Sequence, residues 1–195
     1  MSLSSPVRRE LQHRRSVECL GYLREDGLWD IEARMTDIKT ATVALPMRGD
    51  VPAGEPFHDL GLRVTLDQTL LIHEVEVFID ASPFNICRKI ATAFKKLEGT
   101  RIGPGWPRQC KTLLGGHLGC THLNELLPTI ATTAIQTLWP NSDIDVMKLG
   151  APMMINSCHS WAQNSDVIKV LLPDHYIPAE PEAPQNLSEL NRSKI

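Results

Sequence analysis

Between residues 29 and 35 the side chains alternate strictly between apolar and polar types. An extended strand points successive side chains to opposite faces, so this alternation predicts a β-strand with one buried and one wet face. The run "SVECLGYLRED" precedes it, and the Asp-Gly pair at 26–27 between the two runs favours a tight hairpin turn. We therefore expect an antiparallel hairpin here. Its apolar face comprises Trp29, Ile31, Ala33 and Met35.

A second hairpin is predicted after a long loop, "LPMRGDVPAGEPFHD", in which proline and glycine recur. Apolar residues alternate again over 62–66 and dominate the run over 72–77, with Asp67-Gln68 at the turn. Loops longer than about 12 residues in a compact domain tend to be functional or mobile. Four antiparallel strands are the simplest outcome.

After residue 81 the sequence pattern predicts helices. A helix is predicted over 82–99 with Ser82 as its N-cap, followed by a shorter helix over 107–115. The apolar stripe of the next segment predicts a long helix over 121–139, with Thr121 as its cap. We therefore expect an α+β fold, in which an antiparallel sheet of hairpins packs against about three helices.

The rest of the chain completes the expected organisation. A third, shorter hairpin is predicted across Asn164-Ser165, and residues 177–195 are rich in proline, glutamate and serine, which predicts a disordered tail. Residues 16–176 are predicted to form one domain. Residues 1–15 are predicted as a solvated basic arm, with a specific anionic partner as the alternative. The arm carries Arg8, Arg9, Arg14 and Arg15.

Composition narrows the classes of function. The chain is 42% apolar and 22% charged, as expected of a globular protein, and its net charge of −3 argues against nucleic acid as the main partner. No apolar run approaches the ~18 residues that span a bilayer, which predicts no membrane partner. The five cysteines form no CxxC pair and follow no secretory signal, so we expect reduced thiols and a cytoplasmic location.

The segment "GGHLGCTHLNELL" concentrates groups that can carry chemistry at the start of the long helix. His122 and Glu125 are three residues apart and share a helix face, while Cys120 lies just outside the helix N-terminus, where a thiolate is favoured. These three groups suit a transition metal, with zinc and iron as candidates. They equally suit a nucleophile, a base and an orienting acid. A purely structural role, with Glu125 capping the helix, is the third interpretation.

A second polar pair lies where the long loop enters the third strand. His58 and Asp59 could reach Cys120 and His122 if the fold brings the strand entry to the helix start. We therefore predict a metal site formed by His58, Asp59, Cys120 and His122. Those four residues and Glu125 are the predicted catalytic groups.

The segment "RIGPGW" is a candidate for substrate binding. Arg101 could hold a carboxylate bidentately, and Trp106 offers a large apolar wall for a ring-shaped ligand. A turn between helices with a packing tryptophan and a surface arginine is the alternative.

Several longer segments resemble a bacterial domain-of-unknown-function family, number 2889. They are "REDGLWDIEARMTDIK", "AGEPFHDLGLRVTLD", "IGPGW", and "GCTHLNELL" followed by "ATTAIQT". The resemblance extends from His13 to about Pro173 and implies no settled activity. This sequence has Gly61 where the family implies a bulky aromatic residue, which would open space for a substrate beside His58 and Asp59.

The order of elements is also similar to that of NifU-type iron–sulfur scaffold proteins. On that plan Asp59 falls near the carboxylate of the family and Cys120 near its last cysteine. The first cysteine position falls around Ser82, and the middle one has no counterpart. The similarity implies a fold more than an activity.

We therefore predict a metal-dependent enzyme of bacterial catabolism that acts on an aromatic or other ring-containing organic acid. An iron–sulfur or sulfur-handling accessory protein is one alternative, and a non-catalytic ligand-binding module is another. The expected partner is a small-molecule substrate, and self-association into a homo-oligomer is left open.

Overall fold

The computed structural model describes residues 3–139 and 154–179 and contains a four-stranded antiparallel sheet. The order in the sheet is β1-β2-β3-β4, so each strand neighbours the next one along the chain. With the helices that follow, this confirms the predicted α+β fold. The strands are β1 (His13–Leu23), β2 (Trp29–Lys39), β3 (Pro56–Leu66) and β4 (Ile72–Ala81).

Both predicted hairpin turns are present. At the first turn Gly27 adopts a φ of 83°, a backbone conformation that favours glycine, and the Arg24 amide donates to the Leu28 carbonyl. At the second, the Asp67 carboxylate accepts hydrogen bonds from the backbone amides of Thr69 and Leu71. These local interactions set the register of the strands on either side.

Helical segments follow the sheet. A 3-10 helix, η1, spans Asn85–Leu97, and the helices α1 (Trp106–Leu114), α2 (Thr121–Leu138) and α3 (Asp166–Leu171) come after it. Single 3-10 turns lie at Gly116–Leu118, His159–Trp161 and Pro173–His175.

Three local predictions are wrong. The hydroxyl of Ser82 donates to the Phe84 carbonyl, and η1 begins only at Asn85, so Ser82 caps no helix. Thr121 is the first residue of α2, and Cys120 is its N-cap. The predicted third hairpin is replaced by α3, because the Ser165 hydroxyl accepts the Ile168 amide at 3.3 Å and starts a helix there.

The two faces of the sheet differ. The inner face carries the apolar residues of the alternating runs and packs against η1, α1 and α2. The outer face carries mostly charged side chains. Helix α2 supplies the largest helical share of the core, with Leu123, Leu126, Leu127, Ile130, Ala134 and Leu138 all buried.

The chain divides into two compact units, Met1–Ile144 and Asp145–Ile195. The sheet, η1, α1 and α2 belong to the first unit, and α3 belongs to the second. Most of the tail predicted over 177–195 lies outside the described residues, which end at 179. Among the helices in the described ranges, none combines the length and apolar character needed to cross a membrane.

Candidate metal site at one end of the sheet

The inner face of the sheet ends in polar residues. The alternating run of β2 continues past Met35 to Asp37, and the corresponding run of β3 begins at His58. Asp37 and His58 are direct partners in the register between the two strands. The first turn of α2 lies over this end and adds His122. Strand pairing and helix packing together thus collect three potential ligands.

Asp37, His58 and His122, hereafter the Asp37 cluster, are in close contact. The Nδ1 atom of His58 lies 2.9 Å from Oδ2 of Asp37, and the ring centroids of His58 and His122 are 3.9 Å apart with an interplanar angle of 37°. One donor atom from each residue lies within 4.8 Å of the other two. Asp37 is 1% exposed and His58 7% exposed, so both are shielded from water, while His122 is half-buried.

Two side chains of β1 hold the carboxylate of Asp37 from a third direction. Arg15 donates to both oxygens, through Nε and Nη2, each at 2.8 Å. The His13 Nε2 atom lies 3.1 Å from Oδ1 of Asp37. The remaining amino group of Arg15, Nη1, donates to Glu125 of α2 at 2.6 Å. Arg15 therefore ties the cluster to both β2 and α2.

These contacts determine the charge states. Burial alone would raise the pKa of the Asp37 carboxyl, but the hydrogen bonds and charge of Arg15, with a smaller contribution from His58, lower that pKa to about 2. Burial, followed by the neighbouring His122, lowers the pKa of His58, and the hydrogen bond to Asp37 opposes this shift only in part. At neutral pH Asp37 is therefore ionised, and His58 is neutral.

The charge states fix the tautomer of His58. An ionised carboxylate can only accept hydrogen bonds, so a neutral His58 must donate its Nδ1–H to Asp37. This leaves the lone pair of the His58 Nε2 atom free to bind a metal ion or to accept a proton. A carboxylate that orients a histidine in this way is common behind metal-binding imidazoles and behind histidines that act as general bases.

The neighbouring predicted ligand, Asp59, is not part of the cluster. Successive strand residues point to opposite faces, so Asp59 lies on the outer face of the sheet while His58 lies on the inner face. There Arg34 donates to both oxygens of Asp59, at 2.8 and 2.6 Å. Asp59 is thus held in a bidentate ion pair away from His58.

The residues predicted at the start of α2 relate to the Asp37 cluster in different ways. His122 joins the Asp37 cluster, and Glu125 reaches it indirectly through Arg15. Cys120 is not among the clustered ligands of the described residues. As the N-cap of α2, its carbonyl accepts the Asn124 amide at 2.9 Å, while its partly buried side chain packs against the core.

The predicted substrate-binding residues do not join the cluster: Arg101 lies far from it, and Trp106 is buried against α2. Arg101 bridges to Leu71 and donates to a carbonyl of the β3–β4 turn, at the opposite end of β3 from His58. With about 3.3 Å per residue, that end is roughly 27 Å away. Trp106 is 3% exposed, donates to Thr100 at 3.1 Å, and lines a cavity of about 220 Å³ between α1 and α2.

Gly61 lies on the outer face, where its lack of a side chain serves close packing. A Cβ atom at this position would lie 2.2 Å from the Ala33 carbonyl oxygen and 2.6 Å from the Phe78 ring. The aromatic ring of Phe78 thus occupies the space that the sequence assigned to a substrate. A cavity of about 700 Å³ lies over the same face, but no residue of the Asp37 cluster lines it.

Asp37, His13 and Arg15 are functional candidates that were not predicted from the sequence. Asp37 continues the buried alternation of β2 two residues beyond Met35, which is the signal of a carboxylate at a core position. Arg15 and His13 extend the inward positions of β1 in the same way beyond Val17, within the segment predicted as a solvated arm.

Comparison with known proteins identifies a matching family. A family model described as "Protein of unknown function (DUF2889)" matches residues 13–136. No curated protein and no solved structure matches the chain. The matched region contains the whole Asp37 cluster together with His13 and Arg15. The similarity to NifU-type scaffold proteins stays a prediction.

Proposed function

We propose that this chain, which belongs to the DUF2889 family, is a metal-dependent enzyme that binds a zinc or iron ion at the Asp37 cluster. The observation that carries the proposal is the convergence of two imidazoles and one carboxylate within 4.8 Å at a shielded end of the sheet. Imidazole and carboxylate are the ligands that zinc and non-haem iron share.

The surrounding contacts assign roles within the cluster. Because Arg15 occupies both oxygens of Asp37, we assign the two histidines as direct ligands and Asp37 as the group that orients His58. Two protein ligands leave coordination positions for water and substrate. An ion with open positions can activate a bound water or polarise a substrate oxygen, which suits a hydrolase or a lyase.

The proposed substrate is an aromatic or other ring-containing organic acid of bacterial catabolism. Residues beside His58, and not Arg101 and Trp106, support this class of substrate. The ring of Phe57 packs edge-on against His58 with 5.0 Å between centroids, and the Lys39 ammonium lies 5.5 Å from the Phe57 centroid. An aromatic surface next to a cation fits a ring that bears a carboxylate.

The proposed setting is the cytoplasm. All five cysteines are free thiols in the structure, as expected of a protein kept in a reducing compartment.

Metal binding by the full-length chain tests the proposal. Chelator-treated protein titrated calorimetrically with Zn²⁺ or Fe²⁺ should bind one equivalent. His58→Ala and His122→Ala should abolish this binding, while Asp37→Asn should weaken it about 10- to 100-fold through the loss of the orienting carboxylate. His117→Ala, at an exposed position in the turn before α2, is the matched control. Equal binding by wild type and His122→Ala would refute the site.

A metal-free general base is the second candidate function. The hydrogen bond between His58 and Asp37 favours it, because a histidine oriented by a carboxylate can accept a proton at its Nε2 atom without any bound ion. In this case no ion binds stoichiometrically. NMR should still show a downfield Nδ1 proton of His58 that disappears in Asp37→Asn. Metal binding that depends on both histidines would exclude this alternative.

A further inference from the structure

Strand β1 forms one edge of the sheet, and its outer side pairs with no other strand in the described part of the chain. The strand has 11 residues, and its pairing with β2 shows no register shift. Edge strands of monomeric proteins are commonly short, bulged, interrupted by proline or protected by charged side chains. β1 is neither short, bulged nor interrupted by proline, and the charged residues on its outer face, Arg14 and Glu18, have opposite signs. It also exposes 41–60% of four apolar side chains, namely Val17, Leu20, Tyr22 and Leu23.

Two flanking hydrogen bonds establish which backbone groups of β1 face the open edge. The Arg24 amide donates to the Leu28 carbonyl, and the Thr40 amide donates to the Gln12 carbonyl. Hydrogen-bonded and non-hydrogen-bonded pairs alternate along an antiparallel ladder, so the even-numbered residues of β1 bond to β2. The odd-numbered residues direct their amides and carbonyls outward. They are His13, Arg15, Val17, Cys19, Gly21 and Leu23.

We propose that this edge pairs with the β1 edge of a second copy of the chain, antiparallel about a twofold axis at Ser16. The two four-stranded sheets then form one continuous sheet of eight strands. A twofold axis makes the contact self-complementary, so both copies use the same residues and the assembly closes as a dimer.

The outward groups restrict the register. Hydrogen bonding across the interface requires odd-numbered residues to face odd-numbered residues, which places the axis at a residue and not between two residues. With the axis at Ser16, His13 faces Cys19 of the second copy and Arg15 faces Val17.

Charge selects Ser16 among the allowed axes. This axis places Arg14 opposite Glu18 of the second copy, and the symmetry repeats the pair. An axis at Glu18 would set two glutamates directly against each other, and an axis at Val17 would leave both charges without an opposite charge. Arg14 forms no ion pair with any described residue of its own chain. Glu18 faces Arg34 of β2 and interacts with its charge without forming a close ion pair, so its carboxylate can still pair with Arg14 of the second copy.

Cysteine cross-linking of the full-length chain tests the axis. Ser16 faces itself as a non-hydrogen-bonded pair, with Cα atoms about 4.5 Å apart, which is within disulfide range. Oxidised Ser16→Cys should therefore run as a covalent dimer on a non-reducing gel. Tyr22→Cys is the matched control on the same strand and face, because its two copies lie roughly 40 Å apart. Wild-type protein reveals any linkage through the native cysteines.

Charge reversal tests the pairing independently. Sedimentation equilibrium of the wild type should show a dimer. Glu18→Arg and Arg14→Glu should each raise the dimer Kd about tenfold or more, because each turns two attractive pairs into two repulsive ones. The double variant should recover the wild-type Kd, with circular dichroism confirming that all variants are folded. A monomeric wild type would overturn the dimer, and linkage through Glu18→Cys but not Ser16→Cys would overturn the Ser16 axis.

Discussion

A carboxylate as deeply buried as that of Asp37 is costly unless its charge is compensated. Its two oxygens receive hydrogen bonds from Arg15 and contacts from two histidines, so the negative charge is stabilised on both oxygens although only 1% of the residue is exposed. This pairing is what allows an ionised acid to end an otherwise apolar sheet face. The same contacts hold His58 in one tautomer.

A second carboxylate, Asp67, gives a pH-dependent prediction at the scale of one residue. Burial alone would raise the pKa of its carboxyl, but hydrogen bonds from Thr69, His73 and the Leu71 amide lower that pKa to about 2. A lowered folded-state pKa contributes stability that is present above the ordinary value of 3.8 and is lost as the pH falls through about 2.

Asp67→Asn should therefore reduce the free energy of unfolding by about 1–2 kcal/mol at pH 7, with the partial exposure of the side chain limiting the effect. Urea unfolding at several pH values should show the difference from wild type shrinking as the pH approaches 2. Asp50→Asn, an exposed loop residue, should leave stability unchanged at every pH. A constant difference would contradict the assignment.

At the scale of elements, helix α2 begins without a stabilising N-cap side chain. Cys120 occupies the N-cap with extended backbone angles, but its side chain makes no capping hydrogen bond. Serine is a strongly preferred N-cap, because its hydroxyl accepts an amide of the first turn.

Cys120→Ser should therefore raise the free energy of unfolding by about 0.5–1 kcal/mol, measured by urea or thermal unfolding. Because Cys120 does not belong to the Asp37 cluster, the variant should bind metal as the wild type does. Cys87→Ser is the control. Cys87 is a partly buried thiol within η1 and not an N-cap, so this variant should show no such gain in stability. Loss of metal binding in Cys120→Ser would restore the thiol as a ligand.

The elements differ in how far the sequence predicts them. Strict alternation and the turn residues predict β2 and both hairpins, since these signals act over a few neighbouring residues. The start of α3 was misassigned because Ser165 suits a hairpin turn and a helix cap equally well, and only the following Asp166 in the first turn favours the helix.

At the scale of the whole molecule, the family match lies within the first compact unit. The match covers 13–136, and the first unit ends at Ile144. Every residue of the Asp37 cluster, and both β1 residues that contact Asp37, lie inside these limits. The sheet and its described core are likewise complete within this unit, apart from the separate burial of Ile168.

A fragment of residues 1–144 should therefore fold cooperatively and bind metal with the affinity of the full chain. Calorimetric titration and thermal unfolding of both proteins provide the comparison. A fragment ending at residue 119, which lacks α2 and its buried leucines, should not fold. Failure of the longer fragment to fold would show that the second unit is needed for stability.

Only part of the candidate metal site could be predicted from the sequence. His58 and His122 were predicted as ligands because each lies at the start of an element, where side chains can enter a pocket. Their partner Asp37 depends on the pairing of β2 with β3, and strand register is a long-range property that a local pattern does not specify. Asp59 was predicted beside His58, although the alternation of Leu62, Val64 and Leu66, continued back along β3, assigns His58 to the inner face and Asp59 to the outer face.

The guanidinium of Arg15 also affects the net charge at this end of the molecule. It lies between two carboxylates, those of Asp37 and Glu125, so the three groups together carry one excess negative charge. A divalent cation bound next to them would reverse that excess to a single positive charge. A site that holds such a cation would attract an anion that neutralises the positive charge. An organic acid would then be both the bound ligand and the counterion.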